Sequence, residues 1–170
     1  MDAFFRAVAI SLGVLLGTFH QGVEPKLLVS PHRGENTVLV SAHLEDAVSP
    51  KMEEALLAGV PIALTLATEV DGRPGESVEQ ILGFLPLTRQ WQVSHSGQAP
   101  RLFTSQDEAE KDWCTWVEVA AGAPATSAFT VSVLVTLSFP GRPDWQADMV
   151  WKASVVSWTR TYTRMSEIPF

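Results

Sequence analysis

The sequence predicts a mainly β fold: an antiparallel β-sandwich, immunoglobulin-like or a partly open barrel, with one or two short helices. Three observations point there. Apolar and polar residues alternate with period two over several separate runs, as half-buried strands require. Only two stretches carry helix-start chemistry, and both are short. Near residues 155–157 the alternation changes phase, as it does where a bulge or corner turns a strand over.

A chain of 170 residues has room for one such domain. With 46% hydrophobic and 18% charged residues it is composed like a globular protein, not a disordered one. Its net charge is −7 and its 12 Lys and Arg are scattered, so it lacks the basic face that nucleic acid demands. A single cysteine, Cys114, rules out an intramolecular disulfide. Flanked by Trp113 and Trp116, it reads as an inert core thiol.

Residues 1–22 open the chain with Arg6 and an uncharged apolar run of 11, Ala7 to Gly17. That run has the length of a signal-peptide core, about 7–15 residues, and is short for a spanning helix of about 20. A cleaved export signal is expected, with an uncleaved membrane anchor or an ordinary first element of a cytosolic fold as alternatives. Residues 23–36, punctuated by Pro25, Pro31 and Gly34, read as a linker or extended edge segment in which Leu27 to Val29 can add a short strand. Residues 37–170 form the single β-rich domain.

Within it, Val38, Val40, Ala42 and Leu44 alternate with polar residues, with Leu39 the exception. A helix of about nine residues follows. Ser49 suits the N-cap, Pro50 the first position, and Gly59 the C′ position before Pro61. Met52, Ala55 and Leu56 form its apolar stripe. Too short to stand alone in water, it must pack on a sheet. Ile62, Leu64, Leu66 and Val70 make the next strand. Asp71 to Gly75 read as a turn, and 76–84 as less regular. Leu85, Leu87, Trp91 and Val93 alternate as a strand, with Arg89 on the same apolar face.

Ser105 and Glu108 match a capping box and place a second helix at about 106–113. Trp113, Thr115, Val117 and Val119 then share one side of a strand. Phe129, Val131, Val133, Val135, Leu137 and Phe139 give the clearest alternation, opposite a face without charge. Trp145 to Val155 continue in one phase, and Val156, Trp158 and Tyr162 in the other.

Three segments in order resemble the DUF4390 family of uncharacterised bacterial envelope proteins, over roughly residues 35–165. VSAHLEDAVSPKMEEALLAGVPIALTLATEV looks like its opening strand and helix turn, LPLTRQWQV like its "L-T-R" strand, and DMVWKASVVSWTRTY like its closing strand. The resemblance implies export and a mostly β domain. It implies no catalytic residues.

No G-x-S-x-G, Walker, G-x-G-x-x-G or H-E-x-x-H pattern occurs, and no cofactor is expected. His43 and Glu45 share a strand face, yet a metal site needs further ligands. Ser41 and His43, or Ser94 and His95, do not amount to a nucleophile pair. The candidate binding residues are Arg89 and Trp91 in one strand, and Arg160, Tyr162 and Arg164 on one face of the last. Arg89 reads as a snorkelling residue at a sheet margin or as part of a buried ion pair or anion site, and the stripe on the last strand as a solvated face or a surface for an acidic partner or lipid headgroups. The expected function is a non-enzymatic envelope protein, periplasmic or held at the inner membrane, that binds or assembles with an envelope protein. A carrier of a lipid in an apolar pocket is the alternative, and a hydrolase without a motif a more distant one.

Overall fold

The computed structural model describes residues 25–33, 37–124, 128–141 and 155–163, the last stretch as backbone. The N-terminal apolar run, the alternation from Trp145 and Arg164 lie outside the described residues. In chain order the elements are β1 (Lys26–Arg33), β2 (Val38–Glu45), α1 (Pro50–Leu57), β3 (Ile62–Val70), β4 (Arg73–Leu85), β5 (Gln90–His95), β6 (Arg101–Phe103), α2 (Gln106–Trp113), β7 (Thr115–Gly122), β8 (Ala128–Ser138) and β9 (Val155–Thr163). They form an antiparallel β-sandwich with two short helices. One sheet has the order β1-β2-β7, the other β6-β5-β4-β3-β8-β9. Every ladder is antiparallel.

The alternation of β2 places Val38, Val40, Ala42 and Leu44 in the core. β1 pairs with β2 along its whole length, so the Pro-punctuated segment is the outer strand of the smaller sheet. Pro31 is tolerated there because one edge of β1 has no partner strand among the described residues to receive an N–H.

α1 begins as its residues require. The Met52 N–H donates to the Ser49 hydroxyl at 3.3 Å, and Pro50 fills the first turn. It ends in a Schellman motif. The Gly59 N–H donates to the Leu56 carbonyl at 2.8 Å and the Val60 N–H to Ala55 at 2.9 Å, with Gly59 at φ 82°. Met52, Ala55 and Leu56 are its buried stripe. The helix carries the chain from the smaller sheet to the larger, so it is a sheet-to-sheet connection and not a crossover between parallel strands.

The turn after β3 is tighter than expected. Asp71 and Gly72, both at positive φ, make a two-residue hairpin loop, and β4 starts at Arg73. The stretch read as irregular is in fact a 13-residue strand. A bulge hides its period: Thr68 faces both Gly75 and Glu76, so the register slips by one residue between Ala67 and Glu69.

Two further expectations change. The strand assigned to Leu85 through Val93 is broken by a turn at 86–89, which leaves Leu87 fully exposed and Arg89 at φ 55°. Arg89 is therefore a turn residue, off the apolar face. In β7 the core side is Trp116, Val119 and Ala121, while Val117 is 70% exposed. A second bulge, with Val117 and Glu118 opposite Ser41, explains the shift. The second helix lies where its sequence placed it, but Ser105 makes no side-chain cap bond.

β8 is as its alternation required: Phe129 through Phe139 at odd positions are buried, and β8 lies between β3 and β9. The register sets Val156, Trp158, Arg160 and Tyr162 opposite Val135, Val133, Val131 and Phe129. Between the sheets the core is filled by Trp113, Trp116, Phe129, Leu56, Ile62, Leu64, Leu66 and Leu82. α2 extends the cover of the larger sheet over β5, β4 and β6.

Candidate functional site

The five candidate binding residues do not converge. Arg89 sits on the exposed β4–β5 turn, where its N–H closes the loop on the Leu85 carbonyl at 2.8 Å. Trp91 is a core residue, 5% exposed, with its ring 4.9 Å from that of Phe84. Arg160 and Tyr162 lie on β9, separated from β5 by β4, β3 and β8. At about 4.8 Å per strand that separation approaches 20 Å.

The sequence instead assembles polar side chains around the C-terminal half of α2. Asp112 reaches β5 and β6 at once. Its Oδ2 accepts from His95 Nε2 at 2.8 Å, and its Oδ1 pairs with Arg101. The His95 side of this junction is sheltered, with side-chain exposures of 13% and 18%, whereas Arg101 is 57% exposed. Arg101 also covers the Phe103 ring at 5.4 Å.

A second histidine is anchored beside it. The Thr115 hydroxyl donates to the Lys111 carbonyl at 2.7 Å, which uses its only proton. The 2.9 Å contact between Thr115 Oγ1 and His43 Nδ1 therefore has the histidine as donor. His43 is held in that orientation from β2.

α2 also carries a crowded carboxyl. Burial raises the Glu110 side chain above the ordinary carboxylate value; the Gln106 amide opposes this, and Asp107 and Glu53 add to it. Gln106 Nε2 donates to Glu110 Oε1 at 2.7 Å. Next in line, the Cys114 thiol is pushed up to about 12, first by burial and then by Glu110. Cys114 is thus a buried thiol that stays protonated at neutral pH. Among the described residues no group of three or more His, Cys, Asp and Glu could hold a metal ion. His43 and Glu45 stay a pair.

Sequence reasoning missed the contacts that join the sheets. Among the described residues Gln80 and Thr68, both 3% exposed, are the buried polar ones. Gln80 Nε2 donates to the Thr115 carbonyl at 2.9 Å, and Trp113 Nε1 donates to the Gln80 carbonyl at 3.0 Å. A polar residue in phase with Leu82 and Leu64 is the signal that marks Gln80, once β4 is known to be a strand.

Large apolar side chains are exposed at the margins: Leu87 fully, Val117 at 70%, Leu102 at 54%, Leu57 at 48% and Leu28 at 40%. No helix among the described residues is long and apolar enough to cross a membrane. Comparison of the chain with protein-family models, with curated proteins and with solved structures finds no match.

Proposed function

We propose that the protein is a non-enzymatic binding or assembly module of the cell envelope, exported or anchored through residues 1–22, that engages an envelope protein at a sheet margin. The observation that carries this reading is the corner of the larger sheet. There the edge strand β6 is three residues long and carries the half-exposed Leu102, beside the hairpin whose tip is the fully exposed Leu87. Apolar side chains at an edge that pairs with no other strand among the described residues suit strand addition by a partner segment. The sandwich interior is occupied by its own Trp and Phe side chains, which favours a surface over an enclosed lipid pocket. The segments that resemble DUF4390 and the apolar N-terminal run support export.

The test has two parts. Fractionation with N-terminal sequencing is expected to recover the chain in the envelope; soluble full-length protein with Met1 intact in the cytosol rules export out. Crosslinking from a photoreactive residue at position 102, in mild detergent, is expected to capture a discrete envelope protein. Equal capture from a probe at Glu54, on the exposed face of α1, argues against a specific margin.

A further inference from the structure

Of the four strands at the margins of the two sheets, three face another strand. β7 runs beside β4 in a close seam, where a Cβ on Gly75 would meet the Ala121 carbonyl oxygen at 2.5 Å and the Ala120 N–H donates to Glu76 Oε2 at 3.1 Å. β1 and β9, which end the two sheets on the other side, approach each other. The fourth, β6, pairs among the described residues with β5 alone. Its outer edge offers backbone donors and acceptors to a further strand.

β6 consists of Arg101, Leu102 and Phe103. Arg101 and Phe103 stand opposite Val93 and Trp91 and share the face where α2 lies. There Arg101 is drawn onto Asp112 and over the Phe103 ring at 5.4 Å. A charge on an edge strand normally discourages pairing, but this one is compensated within its own chain. Leu102, 54% exposed, points to the opposite face.

The triplet is self-complementary. Set antiparallel about Leu102, two copies of β6 place Leu102 against Leu102 on one face. On the other, each Arg101 stands against the second copy's Phe103. The first is an apolar cross-strand pair, and the second sets a cation against an aromatic ring. Parallel pairing, or antiparallel pairing centred on Arg101, sets two Arg101 side chains against each other, and like charges directly opposite are destabilising.

We propose that the partner at this edge is a second copy of the chain, joined by antiparallel pairing of β6 about Leu102 into one sheet that runs through both copies. This pairing rests on the sheet-margin reading above and names its occupant. A two-fold axis at Leu102 uses both β6 edges at once, so the assembly closes at two. Three residues a side fall short of the about 800 Å² per partner of a standard interface, so the dimer is weak and depends on concentration.

Sedimentation of the full chain in mild detergent, over a range of protein concentration, tests this together with oxidative crosslinking. A monomer–dimer equilibrium is expected, and its loss in Leu102→Lys, which sets two like charges at the axis. Leu102→Cys is expected to form a disulfide-linked dimer faster than Arg101→Cys, whose two side chains lie on either side of the axis. Both positions are more than half exposed, so neither substitution empties the core. A chain that stays monomeric, a dimer that survives Leu102→Lys, or crosslinking as fast at Arg101→Cys as at Leu102→Cys overturns the self-pairing. Capture of a different envelope protein from position 102 by a monomeric chain overturns it too, and leaves the sheet-margin reading standing. A Leu102-dependent dimer of protein recovered from the cytosol supports the self-pairing and removes the envelope reading alone.

Discussion

The Thr68 hydroxyl on β3 lies 3.0 Å from the carbonyl oxygen of Ala120 on β7, and it also lies 2.9 Å from the Glu76 carbonyl. One proton is shared between two acceptors on two strands. The Ala120 N–H in turn donates to Glu76 Oε2 at 3.1 Å. Ala120 therefore has both backbone groups satisfied by side chains, and the outer edge of β7 is closed at that point without a further strand.

Thr68→Val keeps the shape of this side chain and removes its donor. Burial of the two carbonyls then has no compensation there, which costs about 1–3 kcal/mol. In urea denaturation the midpoint is expected to fall with an unchanged slope, since the surface exposed on unfolding stays the same. A midpoint equal to that of the parent protein would show that the shared bond contributes nothing.

Two glycines separate close approach from backbone strain. At Gly75 an added methyl would lie 2.5 Å from the Ala121 carbonyl oxygen and 2.6 Å from Thr68 Oγ1, so the seam itself must move. At Gly59 nothing lies within 4 Å, and the only penalty is φ 82°. Gly59→Ala is expected to cost about 1–2 kcal/mol, and Gly75→Ala more, because backbone atoms cannot yield as a side chain does. Thermal unfolding of the two variants checks the order, and a smaller loss at Gly75 contradicts the close packing of β4 on β7.

How legible these features were depended on whether a side chain's period survived. β8 could be read because every second residue from Phe129 to Phe139 is buried. α1 could be read because Ser49, Pro50 and Gly59 act locally. β4 and β7 were misread at their bulges, where one extra residue reverses the alternation. Leu87 and Arg89 were misread because a four-residue turn preserved the appearance of alternation between two strands. The junction at Asp112 and the seam at Gln80 join residues 17 and 35 positions apart, and nothing local announces either.

Cys114 and Glu110 give opposite handles on the same burial. With its thiol pushed up to about 12, Cys114 is protonated at neutral and mildly alkaline pH, so iodoacetamide should label it only after unfolding. The sign of its pH dependence follows from the raised value. The native state holds the proton more tightly than the unfolded chain, so this contribution is complete below about 9 and is lost as pH rises toward 12. Glu110 is also raised, from 4.5, so its contribution is present in acid and is lost as pH rises through its raised native value. Glu110→Gln, which keeps an acceptor for Gln106, is therefore expected to raise the unfolding midpoint at pH 7 and to bring no gain below 4.5. Equal gains at both pH values would place the effect outside ionisation.

Asp112→Asn tests whether α2 is held by its polar junction or by Trp113 and Ala109 alone. The substitution leaves one oxygen and replaces the other by a donor, so it cannot accept from both His95 and Arg101. The two partners do not count equally. The His95 bond is sheltered at both ends and its loss costs about 1–3 kcal/mol. The Arg101 pair is open to solvent at the guanidinium, where such pairs contribute about 0–1 kcal/mol. Asp112→Asn should thus exceed Arg101→Ala in cost, and its effect should be local. Native-state hydrogen exchange is the measurement. The α2 amides are expected to exchange faster in Asp112→Asn, while β3 and β8 keep their protection to within the global change. If α2 and β8 lose protection in step, the helix is docked by its buried apolar side chains as part of the core, and the junction only decorates it.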